Sequence, residues 1–103
     1  MVATTLPEID DRYAHGQLLY RANCQACHGE TLGGRKGMGP PFVHGYYKPG
    51  HHADIAFFRA IELGVRAHHW QFGDMPPVPT VSKTEAAEII DYIRFVQRAN
   101  GIS

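Results

Sequence analysis

The chain has 103 residues, 44% of them hydrophobic, a size that suits one domain over residues 1–103 and leaves no room for a separate catalytic domain. Ten Lys and Arg residues balance ten Asp and Glu residues, so net charge draws the protein neither to nucleic acid nor to an anionic membrane surface. No apolar run reaches the roughly 18 residues that indicate a transmembrane helix. Because the 11 glycines and seven prolines build little regular core, we expect another component to supply part of it.

The first predicted element is a helix over residues 11–23, with Asp10 as its N-cap. One face of this helix is marked by residues at helical spacing: Tyr13, Gln17, Tyr20 and Cys24. This face leads directly to the cysteines. Residues 29–50 are interrupted repeatedly by Gly and Pro, which predicts a long irregular loop of the kind that normally wraps another group or carries function.

The second predicted helix is short and runs from an Asp54 N-cap to a stop at Gly64. Its buried stripe is predicted from its aromatic and aliphatic residues, Ile55, Phe57, Phe58 and Ile61. Residues 65–81 contain prolines that cannot continue a helix, so a second irregular segment is expected there.

The last predicted helix has the clearest signals. Ser82 and Glu85 have the spacing of a capping box. An apolar stripe continues up to Gly101 through Ala86, Ile89, Ile90, Ile93 and Val96. Since no alternating strand pattern or internal repeat is present, the sequence predicts an all-α fold with long connections, in which helices near the two ends pack together.

The most informative motif is Cys24-Gln25-Ala26-Cys27-His28. This spacing lets two thiols form thioethers to a haem while the next imidazole ligates the haem iron. Covalent attachment would also explain how so short a chain acquires a core. The motif predicts one covalently bound haem c.

Three other interpretations are compatible with two cysteines at this spacing: a thioredoxin-like redox pair, a disulfide, or half of a zinc site. The redox pair normally lies at a strand-to-helix junction of a βαβ unit, which the sequence does not predict. A closed zinc site needs further ligands at suitable spacing. His28, directly after the second cysteine, favours haem.

With these motifs the chain resembles the class I cytochrome c family over nearly its whole length, from the helix before Cys24 to the helix after Ser82. The resemblance lies in Gly16, in Cys24 to Gly29, in Gly39-Pro40-Pro41-Phe42, in Gly73-Asp74-Met75-Pro76, and in Tyr92. It implies a cytochrome c fold, with three to four helices and long loops wrapped around one covalently attached haem.

The resemblance also implies roles for residues on the two loops. Met75 would be the sixth ligand of the iron, opposite His28, whereas Met38 lies on the loop that the family uses on the His side. Pro40 would offer its carbonyl to the outer nitrogen of the His28 imidazole. A thioether ligand favours ferrous iron and raises the reduction potential, which suits an electron carrier.

Two further roles are expected on the same ground. Gly16 would face Tyr92 where the terminal helices cross, since only a small residue admits the aromatic partner. Trp70 is a candidate to donate its indole N–H to a haem propionate, although an amphipathic interface residue is an equally good interpretation.

Two adjacent histidine pairs, His51-His52 and His68-His69, remain outside this scheme. Together with His44 they would suit copper, zinc or nickel if the two loops meet. The alternative is that they are ordinary loop residues, because adjacent side chains need not point the same way.

The predicted function is transfer of one electron at a time between a donor and an acceptor redox protein, in transient encounters and without enzymatic turnover. Alternatives are a gas or peroxide sensor or enzyme with a labile sixth ligand, and a cytochrome that handles copper through its histidines. Haem attachment implies export, for example to the periplasm, and hence a signal segment that the printed sequence does not contain.

Overall fold

A computed structural model describes residues 3–66 and 74–103 of the chain. Within these ranges the backbone forms four α-helices and a single 3-10 turn at Gly45–Tyr47. The helices are α1 at Asp11–Asn23, α2 at Gln25–His28, α3 at Asp54–Leu63 and α4 at Lys83–Ala99. Extended backbone pairs there only at two isolated bridges, Arg35 with Gly39 and Val65 with Met75. The all-α prediction is confirmed.

Helix α1 forms as its sequence predicts. The Asp10 side chain accepts a hydrogen bond of 3.0 Å from the Arg12 N–H, which satisfies one of the free donors at the helix start. The last residue is Asn23, and the Cys24 N–H bonds back to the Tyr20 carbonyl. Helix α2 follows at once, so the chain between the two cysteines is helical. The sequence did not indicate α2, because four residues are too few to show a helical period.

Helix α1 packs on α4 at a point where there is no room for a side chain. A Cβ atom at Gly16 would overlap the backbone carbonyl of Glu88 and would come within 3.0 Å of the Tyr92 Cβ. The predicted contact of Gly16 with Tyr92 is therefore present. Further along α1, the Tyr20 ring packs against the Tyr92 ring, with 5.6 Å between their centroids.

Helix α4 carries most of the core. Both hydrogen bonds of the predicted capping box are present, between the Ser82 hydroxyl and the Glu85 N–H and between the Glu85 carboxylate and the Ser82 N–H. All five residues of the predicted apolar stripe are buried, namely Ala86, Ile89, Ile90, Ile93 and Val96. Four of them, all but Ala86, pack against α1, α3 and the segment 32–47 in one cluster.

Helix α3 corrects two predictions. It ends where the sequence indicated but begins one residue earlier, because its N-cap is Ala53 and Asp54 is its first residue. The Asp54 carboxylate accepts from Arg94 on α4 rather than from the helix start. Ile55 is 56% exposed instead of buried, because this side of α3 borders a cavity. Among the described helices none is long and apolar enough to cross a membrane.

The Gly16 contact predicts that replacing this glycine by alanine lowers the free energy of unfolding, whereas the same change normally stabilises a helix. Replacing Gly by Ala inside a helix normally stabilises it by about 1 kcal/mol. Here Gly16→Ala is expected to lower the free energy of unfolding by about 1–3 kcal/mol, because the new methyl overlaps the α4 backbone. Urea unfolding followed by circular dichroism measures the change.

The matched control is Ala14→Gly, at an exposed position of the same helix. It tests intrinsic helix propensity alone and is expected to cost about 1 kcal/mol. A Gly16→Ala protein more stable than the wild type would contradict the close packing of α1 on α4.

Candidate functional site

A cavity of about 430 Å³ lies between the two cysteines, α3, α4 and the segment around Met75. Its size is in the usual range for cofactor and ligand sites. Apolar side chains from α3 and α4 line its interior, among them Phe57, Ile61, Ile89 and Ile93. Residues from both long loops, among them Pro40 and Met75, therefore face one shared space.

The two cysteines reach the cavity because α1 and α2 join there. Cys24 is half-buried at the junction and Cys27 is exposed one turn later, and no disulfide joins them. Both line the cavity. Burial, with a smaller contribution from the nearby Cys27, raises the pKa of the Cys24 thiol to about 11. Before any haem is attached, Cys24 is thus a protonated thiol at neutral pH.

His28, at the end of α2, is 7% exposed and held on two sides. Its Nδ1 is 2.9 Å from the Pro40 carbonyl oxygen, and its ring stacks on the Phe42 ring with 4.0 Å between centroids. Since a carbonyl only accepts, Nδ1 carries the proton and Nε2 keeps its lone pair. Burial lowers the His28 pKa and the Pro40 hydrogen bond opposes that shift, so the imidazole is neutral and able to bind a metal.

The loop after His28 is folded tightly enough to bring Pro40 to it. A Cβ atom at Gly39 would lie 2.6 Å from the Cys27 carbonyl oxygen, so the loop lies directly against α2. Leu32 is fully buried with a positive φ of 63°, and its carbonyl accepts from the N–H groups of Phe42 and Val43. These contacts fix Phe42 beside the imidazole and place Pro40, rather than Pro41, at its Nδ1.

Met75 reaches the same cavity from the segment after α3. Two backbone hydrogen bonds fix it against Val65, one of 2.9 Å from the Val65 N–H and one of 2.7 Å to the Val65 carbonyl. Gly64, with φ 78° and ψ −178°, brings the two segments together. Met38, the other thioether considered, is 50% exposed and does not line the cavity.

The remaining predicted site residues divide into two groups. His51 and His52 lie on the described loop, with 5.0 Å between their ring centroids, and His52 also lines the cavity. Trp70, His68 and His69 lie outside the described residues. Within residues 3–66 and 74–103 no group of three or more His, Cys, Asp or Glu side chains is arranged to hold a metal ion. The second metal site stays a prediction.

Sequence reasoning missed several residues of the cavity wall. Phe42 was noted only as the last residue of the Gly39-Pro40-Pro41-Phe42 loop, and its stacking on His28 depends on loop geometry. Arg59, on α3, also lines the cavity, and no sequence pattern indicated it. His52 lines the cavity too, although the sequence singled it out only as part of a histidine pair.

Comparison with known families supports the resemblance that the sequence showed. Residues 11–93 match the model of the family described as cytochrome C oxidase, cbb3-type, subunit III. The matched span starts with α1, includes the cysteine motif and Met75, and ends within α4. The chain belongs to this family of class I c-type cytochrome domains. The comparison with curated proteins gives no match. Membership in this cytochrome family implies a c-type haem and a role in electron transfer.

The residues around the cavity fit the cofactor of a c-type cytochrome. Such a haem needs two thiols for its vinyl groups and a neutral imidazole for its iron, beside a mainly apolar space. Cys24, Cys27 and His28 would supply these groups within one turn of chain, and the Met75 thioether lies on the same cavity. The donor groups that such a haem needs are therefore already gathered around this cavity.

The placement of Met75 is expected to depend on Gly64. A Cβ atom at Gly64 would lie 2.5 Å from the Met75 carbonyl oxygen and 3.1 Å from the Pro77 Cδ. Its backbone conformation is also one that essentially only glycine adopts. Gly64→Ala is therefore expected to destabilise the protein by at least about 2 kcal/mol, measured by urea unfolding.

Gly37→Ala is the control, because Gly37 also has a positive φ, of 76°, but nothing lies within 4 Å of its added Cβ. It is expected to cost about 1–2 kcal/mol, from the backbone alone. Equal costs for the two variants would show that Gly64 does not hold the Met75 segment against α3.

Proposed function

We propose that this cytochrome domain, residues 1–103, carries one electron at a time through a single haem c, with Cys24 and Cys27 as its thioether anchors and His28 and Met75 as its axial ligands. The supporting observation is that the cysteine motif and Met75, about 50 residues apart, line the same cavity. The haem supplies the one-electron chemistry by alternating between ferric and ferrous iron. The protein supplies ligands, orientation and exclusion of water.

His28 contributes a ligand whose orientation is fixed before the iron binds. The hydrogen bond from Nδ1 to Pro40 leaves Nε2 as the free donor and increases the electron density on the imidazole. The Phe42 ring prevents the imidazole from tilting on one side. A ligand held in this way moves little when the iron changes charge.

Met75 contributes a soft, neutral ligand that favours ferrous iron. The paired hydrogen bonds with Val65 restrain its backbone, and the following Pro76 and Pro77 restrict the chain further. With both axial positions filled, no substrate reaches the iron, which supports a carrier rather than an enzyme. If Met75 instead leaves the iron readily, the domain is a sensor or an enzyme for oxygen, nitric oxide or peroxide.

The proposed partners are a donor and an acceptor redox protein, in transient contact. Cys27 is exposed, so a haem edge anchored there lies close to the surface, where electrons enter and leave. Because the formal net charge is zero, local patches guide such encounters rather than the overall charge. Thioether formation places the mature protein in an exported compartment such as the periplasm.

Replacing Met75 tests the sixth ligand. In Met75→Ala the reduced iron is expected to bind carbon monoxide, and the reduction potential is expected to fall by more than ~60 mV, a tenfold change in a one-electron equilibrium. Spectroscopic redox titration of the purified holoprotein, with and without carbon monoxide, measures both effects.

Met38→Ala removes the other thioether and is expected to leave the potential and the carbon monoxide response unchanged, because Met38 does not line the cavity. A Met75→Ala protein that retains the wild-type potential and ignores carbon monoxide would exclude Met75 as the ligand.

A further inference from the structure

A buried positive charge lies behind one wall of the cavity. Arg94, on α4, is 6% exposed. Its guanidinium carbon is 4.8 Å from the centroid of the Phe57 ring, and Phe57 lines the cavity together with His28 and Met75. Phe57 therefore contacts this cation and lines the cavity. An arginine stays protonated at any ordinary pH, so the charge is permanent.

Hydrogen bonds hold the guanidinium in one orientation. Its Nε donates to the Asp54 carboxylate at 2.9 Å, and its Nη1 donates to the Tyr47 carbonyl at 2.6 Å and to the Gln97 amide oxygen at 2.9 Å. Its Nη2 donates to the His52 carbonyl. Three of these acceptors are neutral, so most of the hydrogen-bonding capacity of Arg94 is satisfied without neutralising its charge.

Asp54 is the acidic partner of Arg94, and it compensates the charge only in part. The Asp54 side chain is 58% exposed, whereas that of Arg94 is 7% exposed. Water screens the field of the carboxylate more strongly than the field of the buried guanidinium. The carboxylate therefore offsets the charge of Arg94 only in part at the cavity wall next to Phe57.

We propose that Arg94 raises the reduction potential of the haem, an inference that rests on the proposed function. When the iron gains an electron, the total charge of the haem falls by one unit. A permanent cation behind Phe57 stabilises the reduced form more than the oxidised form, through a region of low dielectric constant. The surrounding network keeps that cation at a constant position.

The same network gives Arg94 a structural role, from which the electrostatic role must be separated. The Gln97 amide, which accepts from Arg94, donates to the carbonyl groups of Phe42 and Tyr47 at 2.9 Å each. Phe42 stacks on His28. Disrupting Arg94 therefore loosens the wall beside the imidazole as well as removing a charge.

The first measurement is the reduction potential of the Arg94→Gln holoprotein. Loss of the buried charge is expected to lower it by about 59 mV, a tenfold change in the one-electron equilibrium constant. Arg98→Gln is the matched control, since Arg98 is an exposed arginine one turn further along α4. The same formal charge change there is expected to alter the equilibrium less than twofold, because water screens it.

Replacing Asp54, the acidic partner in the ion pair, distinguishes an electrostatic role of Arg94 from a structural one. Asp54→Asn breaks the same network but removes a negative charge, so it is expected to raise the potential, shifting the equilibrium about two- to threefold. A structural role alone predicts shifts in the same direction for Arg94→Gln and Asp54→Asn. Arg94→Lys keeps the positive charge but loses the planar guanidinium group. The reduction potential of this variant is expected to lie nearer to that of the wild type than the potential of Arg94→Gln does.

The inference is overturned if Arg94→Gln and Arg98→Gln have the same potential, if Arg94→Lys falls as far as Arg94→Gln, or if Asp54→Asn lowers the potential. Should Arg94→Gln fail to fold, the sign of the shift in Asp54→Asn decides. A wild-type protein without haem contradicts the proposed function itself. A low-spin haem protein whose potential ignores Arg94 contradicts this inference alone.

Discussion

The contact between Gly16 and the backbone of Glu88 determines how closely α1 lies on α4. The position of the residues that follow α1 depends on that distance. Helix α1 leads directly to Cys24 and, through α2, to His28. Any side chain larger than hydrogen at residue 16 pushes the cysteine motif away from the α4 residues that line the cavity. The small size of Gly16 thus allows the helix that leads to the cysteine motif to lie close to α4.

Helix α4 connects the two ends of the site. One side packs against α1, and its Ile89 and Ile93 line the cavity. Further along, Arg94 and Gln97 bind backbone carbonyls of the segment 42–52, which stands against His28. In a chain whose long loops have little regular structure of their own, these side-chain hydrogen bonds replace the backbone ladder that a sheet would provide. Helix α4 therefore both lines the cavity, through Ile89 and Ile93, and fixes the segment that lies against His28.

The sequence indicated those features whose signals are local. The Ser82 and Glu85 capping box involves residues three positions apart, and the cysteine motif lies within one helical turn, so spacing alone identified both. Asp54 was misassigned as a cap because its partner, Arg94, lies 40 residues away and no local pattern reports such a pair. Ile55 was expected in the core because helical periodicity cannot distinguish a packed face from one that borders a cavity.

We propose that one haem c occupies this cavity with His28 and Met75 on its iron. The most direct test is the absorption spectrum of the exported wild-type protein, oxidised and reduced, recorded with and without carbon monoxide. We expect a low-spin c-type spectrum, a weak thioether-to-iron charge-transfer band in the oxidised form, and no response to carbon monoxide. A missing charge-transfer band together with ready binding of carbon monoxide would contradict it.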